Sequence, residues 1–361
     1  MKVSETAQYL CKVLKVSLLV VLLLGVNTAK VSAASGEGEP FSAGDMILHH
    51  ISDAHEWHFW DGPYGTLYLP VILYSQDRGL EAFMSSNFYN DNHELVSYNG
   101  YQVNHGHIER VGGGDVLDLS ITKNVASMLL SAVLMLIIFS SIASRYKKGA
   151  VAAPRGLQSF LEPIIVFIRD EIARPNIGHK YRRFMPFLLT LFFFIWINNI
   201  LGLLPGAANV TGNIAVTLVL AFIVFIITTF SGTKEYWGHI FNTPGVPWWL
   251  KTVLPIMPIV EFIGIFTKPF SLMIRLFANI TAGHIIILSL FSLIFIFQSV
   301  AVSPISVAFA TFMYFLELFV ALLQAYIFTL LAAMYFGGAV EEHHHEEHAK
   351  EEEAQVDKAL I

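Results

Sequence analysis

Residues 254–298 form an apolar stretch about twice as long as the ~20 residues a helix needs to cross a bilayer, yet the stretch carries Glu261, Lys268, Arg275 and His284. Such a segment cannot sit in a water-soluble core. The economical solution is one long, strongly tilted membrane helix, kinked at Pro269, with its charges turned toward protein or water. Arginine cannot shed its charge, so Arg275 needs a partner or water, and an ionisable group at membrane depth marks a functional site. Asn279 and His284 follow on the same segment, and the next apolar segment carries Glu317 and Gln324. A lone arginine would be read more simply as snorkelling or as a structural pair. In this company it points to a proton path.

The whole chain fits that setting: 55% of its residues are hydrophobic, 14% are charged, and the mean hydropathy is +0.58. Further apolar segments lie at 124–144, 184–204, 212–230 and 302–335. Arg145, Lys147, Lys148 and Arg155 follow the first of these at once, which puts that end in the cytoplasm. Residues 157–172 are amphipathic, are interrupted by Pro163 and are flanked by Arg155, Arg169 and Arg174, so they are expected to lie in the interface without crossing. The predicted fold class is an all-α polytopic membrane protein with about five transmembrane helices. Two long, tilted C-terminal helices, an interfacial helical hairpin and a small extracytoplasmic N-terminal module complete it. The membrane domain spans 119–340 and is surrounded by lipid, and 341–361 is a charged cytoplasmic tail. The net charge of −6, drawn partly from that tail, argues against nucleic-acid binding.

Lys2, Lys12 and Lys15 precede an apolar run at 16–26, and Val31-Ser-Ala33 supplies small residues for cleavage, so 1–33 is predicted to be a cleaved signal peptide. Cys11, the only cysteine, would leave with it. The module at 34–118 is then extracytoplasmic. Its alternating run Thr66-Leu-Tyr-Leu-Pro-Val-Ile-Leu-Tyr74 predicts a strand or hairpin, and Gly112-Gly-Gly114 a flexible junction to the membrane. His49, His50, His55 and His58, with His93, His105 and His107, are plausible donors for zinc or copper. They lack fixed ligand spacing. We read them as an exposed proton-intake surface, expect no metal and no cofactor, and read the tail His343-His-His-Glu-Glu-His348 as a solvated terminus.

At 100° per residue, Arg275, Asn279 and Ala282 share one helix stripe with Ala278 beside it, and small residues there allow another helix to slide close by. His284, nine positions after Arg275, falls on roughly the opposite side and is expected to serve a separate aqueous cavity. Glu317, Ala321 and Gln324 share a stripe of the last helix. Histidine and a buried carboxyl suit proton relay because surroundings move both into the working pH range. A permanent guanidinium does the opposite: it displaces a proton from a passing acid and blocks leakage. That acid has to come from a partner subunit, since only Glu261 is near the stripe. Glu261 itself lies several turns toward the cytoplasm and is as readily read as the structural partner of Lys268.

Lys268-Pro-Phe-Ser-Leu-Met-Ile-Arg-Leu-Phe-Ala-Asn-Ile-Thr-Ala-Gly-His284 closely resembles the signature of the F-type ATP synthase a subunit, the static partner of the rotating c-ring. Asn199-Ile-Leu-Gly-Leu-Leu-Pro205 and Gln324-Ala-Tyr-Ile-Phe328 resemble two further family blocks, and the likeness covers roughly residues 120–340. The resemblance implies that Arg275, within Arg275-Leu-x-x-Asn279, faces the c-ring carboxylates. It also implies that Gln324 is the final-helix glutamine, that His284 and Glu317 form one of the family's acid–histidine pairings, and that Glu261 is the acid preceding the arginine block. Protons would be taken up near His284, Glu317 and Asn199 and leave near Glu261. The implied partners are the c-ring, the b-subunit peripheral stalk and, indirectly, the catalytic head, with the complex in the bacterial inner membrane. Residues 34–118 inherit nothing from the resemblance.

A secondary transporter with an intramembrane Arg/His/Glu site is the alternative, but it would often show repeats or paired broken helices, which this sequence lacks. A channel would need a pore-lining ring built by symmetry. The sequence has no Gly-x-x-x-x-Gly-Lys-Ser/Thr loop, so no ATP site of its own is expected.

Overall fold

The computed structural model describes residues 42–59, 65–90, 94–104, 106–148, 156–204, 206, 208–241, 256–297 and 302–340. The predicted leader at 1–33, the tail at 341–361, His93, His105 and the side chain of His49 lie outside the described residues. The described residues from Ala43 to Val340 group as one compact unit.

Among the described residues five segments are long and apolar enough to span a membrane, as expected. The first is α2, Lys123–Lys148, after a short helix α1, Ala43–Ile51. Helix α3, Leu157–Phe167, continues through a π-helical turn, Ile168–Ala173, and a short turn, Arg174–Ile177, before α4, Tyr181–Gly202. The chain doubles back between α3 and α4 at Gly178, whose φ of 68° needs a glycine. Phe160 stacks on Trp196 with ring centroids 6.3 Å apart, whereas a straight helix would separate them by about 54 Å. The predicted hairpin is therefore present. Pro163 does not interrupt α3 as expected; the irregularity falls a turn later, in the π segment, where the backbone hydrogen bonds re-pair at wider spacing.

Helix α5, Ile214–Ser231, and the short α6, Lys234–Phe241, precede the two long helices, α7 at Ile256–Phe297 and α8 at Ser303–Val340. The 42 residues of α7 run without a break through Pro269. At 1.5 Å per residue that is about 63 Å, twice the ~30 Å hydrocarbon core, so a crossing α7 is steeply oblique to the membrane normal. Ala321, Ala325, Ala332 and Ala333 are fully buried on α8, and small residues of this kind let helices close in where no hydrophobic effect drives them together. Large side chains such as Phe309, Phe312, Phe315 and Phe319 face outward. The core gathers Phe184, Leu188, Phe193, Leu272, Leu276, Phe328 and Phe336, and Phe184 stacks on Phe336 at 4.9 Å.

Before the first span lies a small β module. Strand β1, Glu56–His58, pairs with β2, Thr66–Tyr68. Strand β3, Pro70–Ser75, is flanked antiparallel by β4, Gly79–Met84, and β7, Val116–Asp118, while β5, Tyr101–Asn104, pairs with β6, His107–Arg110. The predicted run at 66–74 is thus split between two sheets. Pro70, with no N–H to give, sits at the start of β3, and the Leu69 amide turns aside to the His55 carbonyl and the Ser85 hydroxyl. Val71 and Leu73 alternate inward onto Phe88, Tyr101 and Ile108.

Hydrogen bonds tie this module to the helices, the Lys123 amide of α2 donating to the Ala54 carbonyl at 2.8 Å among them. Asp53 accepts from the Asn124 amide at 3.2 Å, a donor that the first turn of α2 leaves without an intrahelical partner, and from the hydroxyl of Thr122, just before the helix, at 2.8 Å. The Trp57 indole donates to the Gly206 carbonyl at 2.8 Å.

Candidate functional site

Helix α7 presents two different faces. Leu272 and Leu276 are buried in the core, Arg275 is half-buried, and Ala278, Asn279 and Ala282 are exposed. The predicted Arg–Asn–Ala stripe is therefore an open track along the helix. Among the described residues the Arg275 guanidinium makes no hydrogen bond or ion pair. Asn279 donates to Gln324 Oε1 at 2.9 Å, tying α7 to α8 beside the arginine. Gln324 is 1% exposed, and its Nε2 finds no acceptor among the described residues.

Nine residues beyond Arg275 along α7, His284 Nδ1 lies 2.5 Å from Glu317 Oε1, and His284 Nε2 donates to the Gly202 carbonyl at 3.1 Å. A carbonyl only accepts, so Nε2 carries hydrogen in every state of this arrangement. The exchangeable proton then sits between Nδ1 and the carboxyl. Gly283 makes the approach possible: a Cβ there would lie 2.9 Å from Glu317 Oε1. The second carboxyl oxygen, Oε2, is buried with no partner among the described residues. Asn199 is close to the same site; it accepts from the Thr211 hydroxyl at 2.6 Å and donates to the Ala321 carbonyl at 3.3 Å. Five of the seven predicted residues, Asn199, Asn279, His284, Glu317 and Gln324, thus fall along the α4–α7–α8 contact.

Glu261 lies apart from them. It lines a cavity of about 320 Å³ with Glu235, Tyr236, Lys268 and Tyr335, and no ion pair joins it to Lys268 among the described residues. Burial, and then the neighbouring Glu261 carboxylate, push the Tyr236 hydroxyl above its usual range. The Lys268 ammonium sits 5.8 Å over the Tyr335 ring, which is also within electrostatic reach of Arg275. Along α7, Glu261 is fourteen residues before Arg275 and His284 nine after it, axial separations of about 21 Å and 14 Å. Polar groups therefore flank the arginine at two levels.

The histidine cluster disperses. His55 Nε2 meets Asp118 Oδ2 at 3.0 Å, His58 Nδ1 meets the Thr66 hydroxyl at 2.8 Å, and His50 is exposed. Burial works to raise the Asp118 pKa, but hydrogen bonds from His55 and Ser120 overcome it and hold the group down at about 2. No group of three or more metal-ligating side chains occurs among the described residues.

Several partners were not legible in advance. Asn198 donates to the Ser131 hydroxyl of α2 at 2.9 Å, Gly202 contributes only its carbonyl, and Thr211 belongs to a short turn. The doubled asparagine at 198–199, two polar residues in an apolar helix, was the available signal for Asn198.

Residues 125–337 match the family model described as ATP synthase A chain, and residues 46–126 match one described only as a domain of unknown function. The chain is 38% identical to ATP synthase subunit a of Chloroherpeton thalassium, over 90% of each chain. It is 42% identical to ATP synthase subunit a 2 of Chlorobaculum tepidum, over 86% of this chain and 76% of that one. With ATP synthase subunit a of Anaeromyxobacter sp. it shares 38% identity, over 86% of this chain and 74% of the relative. The likeness runs from the β module through both long helices, and the chain belongs to the ATP synthase subunit a family, the non-catalytic, proton-translocating stator subunits of F-type ATP synthase.

Proposed function

We propose that the α4–α7–α8 contact is the proton-handling site of this subunit, with each residue in a distinct role. His284 and Glu317 relay protons at the inner end of one aqueous half-channel, and Asn199 fixes the helices around them. Arg275 stands opposite the carboxylates of a c-ring, where it drives off their protons and separates the two half-channels. Asn279 and Gln324 hold the helices together beside it. Glu261 lines the release path on the cytoplasmic side. The reading is carried by one observation, the 2.5 Å contact between His284 Nδ1 on α7 and Glu317 Oε1 on α8. Buried polar atoms without partners among the described residues, Glu317 Oε2 and Gln324 Nε2, support it, because such atoms call for water or a polar group from a partner. The partners are the c-ring, the b-subunit peripheral stalk and, through them, the catalytic head.

Exchanging the pair tests the relay. His284→Glu with Glu317→His keeps one acid and one imidazole at the same place, so it should retain several-fold more ATP-driven proton flux in vesicles than the product of the two single losses. Additive losses would mean that the two residues do not share a path.

The arrangement in the membrane belongs to the same proposal. Residues 1–33 are a removed leader, 34–118 an extracytoplasmic module, 119–340 the membrane domain and 341–361 a cytoplasmic tail, in a bacterial inner membrane. The Arg- and Lys-rich end of α2 supports this orientation. N-terminal sequencing of the assembled protein should begin near Ala34, and protease added to intact cells with a permeabilised outer layer should reach the module but not the tail. Recovery of the Met1 leader, or cleavage of the tail alone, would reverse the assignment.

A further inference from the structure

The turn between α4 and α5 is more deeply buried than a surface connection normally is: Ala208, Val210 and Thr211 are 0% exposed. Both of its ends touch the proton-handling site. At its start the Gly202 carbonyl accepts from His284 Nε2, and at its end the Thr211 hydroxyl donates to Asn199. Gly202 packs on this turn, because a Cβ there would lie 3.6 Å from the Ala208 carbonyl oxygen and 3.8 Å from Asn209 Cα.

The β module holds the middle of the turn. The Trp57 indole, 8% exposed and stacked on Phe59 at 5.1 Å, donates to the Gly206 carbonyl at 2.8 Å. Gly206 has φ +74°, and a Cβ on it would fall 2.9 Å from the His58 carbonyl oxygen, so the turn and the end of β1 are in direct backbone contact. The module is also fixed to the first turn of α2 through Asp53, so Trp57 is presented from a braced support.

We infer that Trp57 is a positioning residue for proton transfer: by holding Gly206 it sets the turn that aims the Gly202 carbonyl at His284 Nε2, and so keeps Nδ1 turned toward Glu317. This gives the β module a part in the reaction, and it rests on the relay reading of His284 and Glu317. Losing the indole N–H while keeping an aromatic ring isolates that part from simple packing. One hydrogen bond of ordinary net worth corresponds to about three- to tenfold in rate.

The test uses the assembled complex in vesicles. Trp57→Phe, and independently Gly206→Ala, should each lower proton flux per assembled complex about three- to tenfold. Either change in a His284→Ala background should cost nothing further, because no imidazole remains to be aimed. ¹⁵N NMR of labelled histidine, with the His284 signal assigned by its loss in His284→Ala, should show Nε2 losing its hydrogen bond in Trp57→Phe. This second readout decides the question even if the His284→Ala flux is too low to compare. An unchanged His284 signal, unchanged flux, or equal fold-losses with and without His284 would each overturn the inference. If His284→Ala alone leaves flux intact, the relay reading falls and takes this one with it. If His284→Ala is damaging while Trp57→Phe is silent, only the role of Trp57 is lost.

Discussion

Arg275→Ala should abolish ATP-driven proton pumping and ATP synthesis while the complex still assembles. The guanidinium is half-buried on an open stripe, with Asn279 engaged by Gln324 and with Ala278 and Ala282 leaving room for a passing helix. A unit charge acting on a carboxylate about 4 Å away at an effective dielectric near 20 is worth about 4 kcal/mol, or about a thousandfold in the equilibrium of proton release. Water can stand in for a relay group but not for a fixed charge. Arg275→Lys should recover little, because lysine is a compact ammonium that can deprotonate when desolvated and lacks the planar fork. The measurement is acidification of vesicles after immunological confirmation of assembly. Near-normal acidification in Arg275→Ala would remove the arginine from the proposed role.

The second large effect is expected at a residue with no side chain. Gly283 lets α8 approach until Glu317 reaches His284, and a Cβ at that position would lie 2.9 Å from Oε1 and 3.0 Å from the carboxyl carbon. Glu317 is 2% exposed, so its carboxyl is enclosed by neighbours. Overpacking of this kind costs about 1–3 kcal/mol. If that strain falls on the relay geometry, Gly283→Ala should reduce flux about tenfold and Gly283→Val about a hundredfold, with assembly preserved. Gly264 provides the control on the same helix, since a Cβ there meets nothing within 4 Å and Gly264→Ala should leave flux unchanged. Equal, small effects at 264 and 283 would show that the 2.5 Å contact does not limit proton flow.

How far the sequence could be read followed from the kind of signal each element leaves. Membrane helices carry a composition signal over some twenty residues, and the five spans, the doubling back before α4 and the two long C-terminal helices were legible from it. The periodicity of α7 also separated Arg275 from His284, and in the structure His284 engages Glu317 and the Gly202 carbonyl while Asn279, on the arginine's stripe, engages Gln324. The β module was read less well. Its strands are short, Pro70 divides an alternating run between two sheets, and α1 hides in a polar stretch that was read for its histidines. Pro163 misled because a proline weakens a helix locally without dictating where the irregularity settles. The contacts made by backbone groups, the Gly202 and Gly206 carbonyls above all, leave no trace in a side-chain alphabet. Gly283 is visible as a letter, but its purpose depends on how closely Glu317 approaches.

Helix α7 carries Glu261, Arg275 and His284 on one unbroken backbone. Their spacing is therefore a constant of helix geometry and does not depend on where neighbouring elements sit. A thicker or thinner bilayer changes the tilt of such a rod, and with it the depth of all three groups together. It cannot change the distances between them along the axis. The rod behaves as a ruler carried through the membrane: the intervals between the three groups proposed to handle protons are written in residue count, and lipid composition sets only the angle at which the ruler is held.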